Sequence, residues 1–121
     1  MSKSRRDRFL KRISTVGGGT RESIQMLLGG VVLDLRDFVE RGMFSEEEMD
    51  VVVPFHDQIE EFWRHTMESN PPMEPLLMVS GLRRLRDACV GPVVGFQVRL
   101  DQALQKATVF AKSGEHGRGV R

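Results

Sequence analysis

From Thr20 to Lys112 apolar side chains return at steps of three and four residues, and only three short breaks interrupt the pattern. The breaks are Gly42, the proline-rich run Asn70, Pro71, Pro72 and Pro75, and the pair Gly91 and Pro92. Steps of three and four place residues on one face of a helix, whereas a half-buried strand needs strict alternation. The chain is therefore expected to be all-α: a small bundle of about four helices, with kinks or breaks near Pro54 and Gly91-Pro92.

Each segment carries its own start and stop signals. The first helix, about Thr20 to Arg41, lines up Ile24, Leu27, Leu28, Val31, Leu35 and Phe38, and Gly42 stands where a glycine closes a helix C-terminus. Gly29 and Gly30 in its middle mark either a close helix crossing or a bend. Ser45 followed by Glu48 is a capping box, and it opens the second helix. Pro54 removes a backbone donor, so this helix is expected to kink there, or to be a short helix followed by a longer one reaching about Ser69. Its apolar face is Phe55, Ile59, Phe62, Trp63 and Met67. The third helix, about Pro75 to Val90, has Met78, Leu82, Leu85 and Cys89 on one stripe. The fourth, about Pro92 to Lys112, carries the seam Val93, Phe96, Leu100, Ala103, Ala107 and Phe110, whose spacing suits helix packing at a shallow angle. Residues 1–19 are read as a flexible basic arm, 20–112 as one helical domain, and 113–121 as a disordered tail.

The net charge of +1 is too small for the whole domain to act as a polyanion binder. Its distribution is polarised, however. Lys3, Arg5, Arg6, Arg8, Lys11, Arg12 and Arg21 stand against Asp7 alone at the start, whereas from Glu40 to Glu68 acids far outnumber Arg41 and Arg64. Cys89 is the single cysteine, so no intramolecular disulfide can form, and a lone thiol suits the reducing cytosol. No apolar run is long enough to span a bilayer, and the basic start lacks the apolar core of a secretory signal. A cytoplasmic protein without membrane association is expected.

No catalytic constellation emerges. His56, Asp57, Glu60, Glu61 and His65 place histidines and carboxylates one turn apart, a spacing that can present metal ligands. The patterns of a carboxylate-bridged di-metal bundle and of a zinc protease are both absent, and a solvated acidic face is the expected reading. Cys89, on an apolar stripe, reads as a small hydrophobe, and the glycines at 17–19 read as a hinge because no phosphate-binding motif follows them. The chain is expected to be non-enzymatic and to hold no cofactor and no metal.

Two kinds of partner remain. Ile59, Phe62 and Trp63, with Met73 and Leu76 around the proline-rich turn, are expected to contact a protein partner, since aromatic and methionine side chains concentrate binding energy. The fourth helix is the candidate for a two-fold homodimer contact. Alternatively, Lys3, Arg5, Arg6, Arg8, Lys11 and Arg12 could contact nucleic acid, because phosphate binding needs only clustered cations; Arg83, Arg84 and Arg86 could extend that footprint. In its length, its interruptions at Pro54 and Gly91-Pro92 and its polarised charge, the chain from Thr20 to Lys112 resembles small all-α bacterial quorum-sensing anti-activators. The resemblance implies a regulator that sequesters a transcription factor, and it carries over no functional residue.

Overall fold

The computed structural model describes residues 21–120, with side chains for residues 21–113. The arm at 1–19, with Lys3, Arg5, Arg6, Arg8, Lys11 and Arg12, lies outside the described residues. Four α-helices follow one another: α1 (Arg21–Glu40), α2 (Glu46–Glu68), α3 (Pro75–Asp87) and α4 (Gln97–Val120), with a 3-10 segment (Gly91–Phe96) between α3 and α4. Among the described residues there is no strand, so the all-α bundle is the fold.

The helix ends follow from their residues. At the end of α1, Gly42 takes the left-handed conformation at φ 69°. Its amide donates to the Val39 carbonyl, and the Met43 amide reaches back to the Phe38 carbonyl, both at 3.0 Å. These paired bonds satisfy carbonyls that the helix leaves open. At the start of α2, Glu48 N–H donates to Ser45 Oγ (3.1 Å) and Ser45 N–H donates to Glu48 Oε1 (2.8 Å), completing the capping box.

Two boundaries of the fourth helix differ from the sequence reading, and at Pro54 one of the two expected alternatives is excluded. The second helix is one continuous helix through Pro54. Pro54 and Asp50, whose carbonyl loses its helical donor there, are both exposed, so water can satisfy that carbonyl, while buried Val52, Phe55 and Ile59 hold the segment to the core on either side. After Gly91, which is left-handed at φ 58°, the chain makes a six-residue 3-10 segment before α4 begins at Gln97. The α4 helix then runs to Val120, beyond the expected end at Lys112.

The core is one apolar cluster. Ile24, Leu28, Val31, Val32 and Leu35 come from α1, Val52, Phe55 and Ile59 from α2, Met78, Leu82 and Leu85 from α3, and Leu100, Ala103 and Ala107 from α4. Helix α1 touches both α2 and α4, α3 packs most extensively against α4, and α2 meets α3 over only a short stretch. Polar ties follow the same pattern. Gln25 Nε2 donates to the Thr66 carbonyl (2.7 Å) and Arg36 pairs with Glu60, joining α1 to α2. Arg99 pairs with Asp34 between α4 and α1, and Arg86 lies 3.4 Å from Asp101 between α3 and α4. Among the described residues, no side-chain hydrogen bond or ion pair bridges α2 and α3.

Candidate interaction surface

The residues expected to contact a partner separate into three groups. Ile59 is fully buried and is corrected from surface anchor to core: its side chain lies on the inner stripe of α2 with Val52 and Phe55. Phe62, Trp63 and Met73 are partly buried and pack against the core. Leu76 is openly exposed, at 60% of its surface, and so is its neighbour Leu77. The sequence reading missed Leu77, although it follows Leu76 directly and falls off the buried stripe of Met78, Leu82 and Leu85.

Glycine sets the positions of the two aromatic rings. A β-carbon at Gly29 would lie 2.9 Å from Cζ2 of Trp63, so the indole of α2 rests on the bare backbone of α1. Of the two alternatives for the glycine pair, Gly29 is thus the site of a close crossing, and nothing lies near Gly30. A β-carbon at Gly81 would collide with the ring of Phe62. Phe62 therefore covers Gly81 and forms a close approach between α2 and α3.

Around that contact runs a cleft of about 300 Å³. Phe62, Met73 and Leu85 give it an apolar floor, and Glu61, His65 and Arg84 stand on its walls. Leu77 shares a face of α3 with Gly81 and Arg84, one turn nearer the helix N-terminus. The proline-rich turn is held by Arg21, whose Nη1 donates to the Met73 carbonyl at 2.6 Å and whose guanidinium carbon lies 5.3 Å from the Phe110 ring centre.

The histidine-carboxylate cluster takes a different form from a metal site. Arg36 Nε donates to His56 Nε2 at 3.0 Å, which leaves the proton of a neutral ring on Nδ1, 3.1 Å from Asp57 Oδ1. Glu60 is paired with Arg36 and Arg64. His65 stands 3.9 Å from Glu61. Among the described residues no three histidine, cysteine or acidic side chains come together in a way that could hold a metal ion. Arg36 takes up the Nε2 lone pair of His56, and Arg36 and Arg64 engage the Glu60 carboxylate.

Helix α4 also corrects the expected dimer contact. Val93, Phe96, Leu100, Ala103 and Ala107 are all buried within the bundle and Phe110 is partly buried, so this seam is used internally. The outward face of α4 carries Val98, Gln102, Gln105 and Val109, all exposed. On the other side of the bundle Cys89 is buried. Burial, together with the nearby Asp101 carboxylate, pushes its thiol up to about 11. The Arg86 guanidinium is held further toward its charged form, chiefly by its hydrogen bond to Asp87 and also by Asp101.

No helix among the described residues is long and apolar enough to cross a membrane. Comparison with protein-family models, with curated proteins and with solved structures finds no match to this chain. The fold itself defines the class: a small all-α bundle with a cleft between α2 and α3.

Proposed function

We propose that the protein is a non-enzymatic regulator that acts by protein-protein contact, and that its partner is a transcription factor which it sequesters. The observation that carries this reading is the adjacent exposure of Leu76 and Leu77 at the N-terminus of α3, beside a cleft floored by Phe62 and Met73. Two neighbouring leucines left in water beside partly buried aromatic and methionine side chains supply the apolar centre that a protein interface needs. Charged groups around them, Arg83, Arg84 and Glu74, are exposed and form the polar rim. The sequence resemblance to anti-activators supports the choice of a transcription factor.

The test is co-purification of the tagged protein from a nuclease-treated lysate, repeated with L76E/L77E. Wild type is expected to retain a DNA-binding protein through moderate salt, and adding the purified chain to that protein is expected to reduce its binding to its own DNA site. The double variant is expected to lose the partner at an unchanged melting temperature, since both positions are exposed. Equal retention by the variant would overturn the assignment of this face. Material lost from the wild type on nuclease treatment alone would move the function to nucleic acid and the basic arm.

A further inference from the structure

The cleft between α2 and α3 has a complementary segment within the same chain. On α2, Asp50, Asp57, Glu61 and Glu68 are all exposed, and their spacing of seven, four and seven residues puts them on one face. That acidic stripe borders the cleft, because Glu61 also lines it, above an apolar floor that includes Phe62 and Met73. Residues 5–16 combine Arg5, Arg6, Arg8, Lys11 and Arg12 with Phe9, Ile13 and Val16, whose steps of four and three would gather the three apolar residues on one side of a helix.

We propose that residues 5–16 of this chain dock in the α2–α3 cleft, with Phe9, Ile13 and Val16 on the apolar floor and the arginines and lysine against the acidic stripe. Three facts support this occupant. The start of α1 lies within side-chain reach of a cleft residue, since Arg21 Nη1 donates to the carbonyl of Met73. Gly17, Gly18, Gly19 and Thr20 separate residues 5–16 from α1, and four residues can span at most about 14 Å. Twelve residues as a helix cover about 18 Å, close to the roughly 16 Å between Asp57 and Glu68 along α2. Exposed ion pairs each contribute little and are screened by salt, so the docking depends on apolar contact and several pairs together and weakens as salt rises. It requires no external partner and stands whether or not the regulatory reading is correct.

The experiment uses the full chain with a spin label on S14C. Cys89 is buried, so the introduced thiol takes the label. In isotope-labelled protein at low salt, the amide signals of Glu61, His65, Gly81 and Arg84 are expected to lose most of their intensity, while those of Leu33 on α1 and Val98 on α4 keep theirs. High salt and the charge reversal E61K/E68K are each expected to restore the lost signals, with the remaining spectrum and the melting temperature unchanged. Loss spread evenly over the bundle, loss confined to another face, or loss indifferent to E61K/E68K would overturn the proposal. Mixing spin-labelled protein with unmodified isotope-labelled protein is expected to leave the cleft signals intact; their loss in the mixture would assign the arm to a second copy and overturn docking within one chain.

Discussion

The two sides of α3 are built differently. Toward α4 it presents Met78, Leu82 and Leu85, with Cys89 just past its C-terminal end, to a helix whose inward positions include Ala103, Ala107 and Ala111, and all of these are buried. Long side chains on one helix against small ones on the other allow contact along the whole seam, and the Arg86–Asp101 pair lies across it. Toward α2 the Phe62 ring rests on the bare backbone of Gly81. A bulky ring over a glycine creates a close approach, and the cleft runs beside it. The cleft thus lies next to the point where a small residue lets α2 and α3 meet.

The largest test of this contrast is core truncation. Leu82→Ala is expected to cost about 2–5 kcal/mol, since it leaves a cavity in a fully buried position. Phe62→Ala should cost about 1–2 kcal/mol, because its ring is only partly withdrawn from water. Urea unfolding midpoints at constant slope measure both; equal losses would mean that the α2–α3 contact is as well packed as the α3–α4 seam. The next test is at the glycines. Alanine gains up to about 1 kcal/mol of helix propensity over glycine, and at Gly30, where a β-carbon meets nothing within 4 Å, that gain should appear as added stability. At Gly81 the same β-carbon collides with Phe62, and overpacking of this kind costs about 1–3 kcal/mol. Gly81→Ala should therefore lose up to about 2 kcal/mol in the wild type and become stabilising in a Phe62→Ala background. Additive effects in that cycle would show that the ring does not depend on the glycine.

Periodicity in the sequence reveals which side of a helix is apolar but not what covers it. Met78, Leu82, Leu85 and Cys89 were identifiable as a stripe, and all four are buried. Ser45 with Glu48 and Gly42 fixed two helix ends because caps depend on neighbours within a turn. The same reasoning placed Ile59 at a partner surface and the Val93 to Phe110 seam at a dimer contact, where the bundle instead uses both internally. The cleft was out of reach for a related reason. Phe62 meets Gly81, and Trp63 meets Gly29; neither pairing leaves a local pattern in the chain. Leu77 was visible as an apolar residue off the stripe, and its exposure depends on which neighbours the bundle brings to that face.

The smallest expected effect reports on the closed seam through Cys89. Its thiol is pushed up to about 11, first by burial and then by the negative charge of Asp101, against an ordinary value near 9. Below pH 9 the folded and unfolded chains both keep the proton, and the contribution of this residue to stability is complete. Above pH 9 the unfolded chain releases its proton more readily, so stability falls with rising pH until the folded thiol also ionises near pH 11. At pH 10 the loss should be about 1 kcal/mol. Unfolding measured from pH 8 to 10.5 in wild type and in Cys89→Ala isolates this term, because every other titrating group is common to both proteins. The difference between the two is expected to be flat below pH 9 and to shrink above it. A difference that stays constant to pH 10.5 would mean that the thiol ionises equally in both states, and that water reaches the α3–α4 seam as freely as it reaches the cleft on the other side of α3.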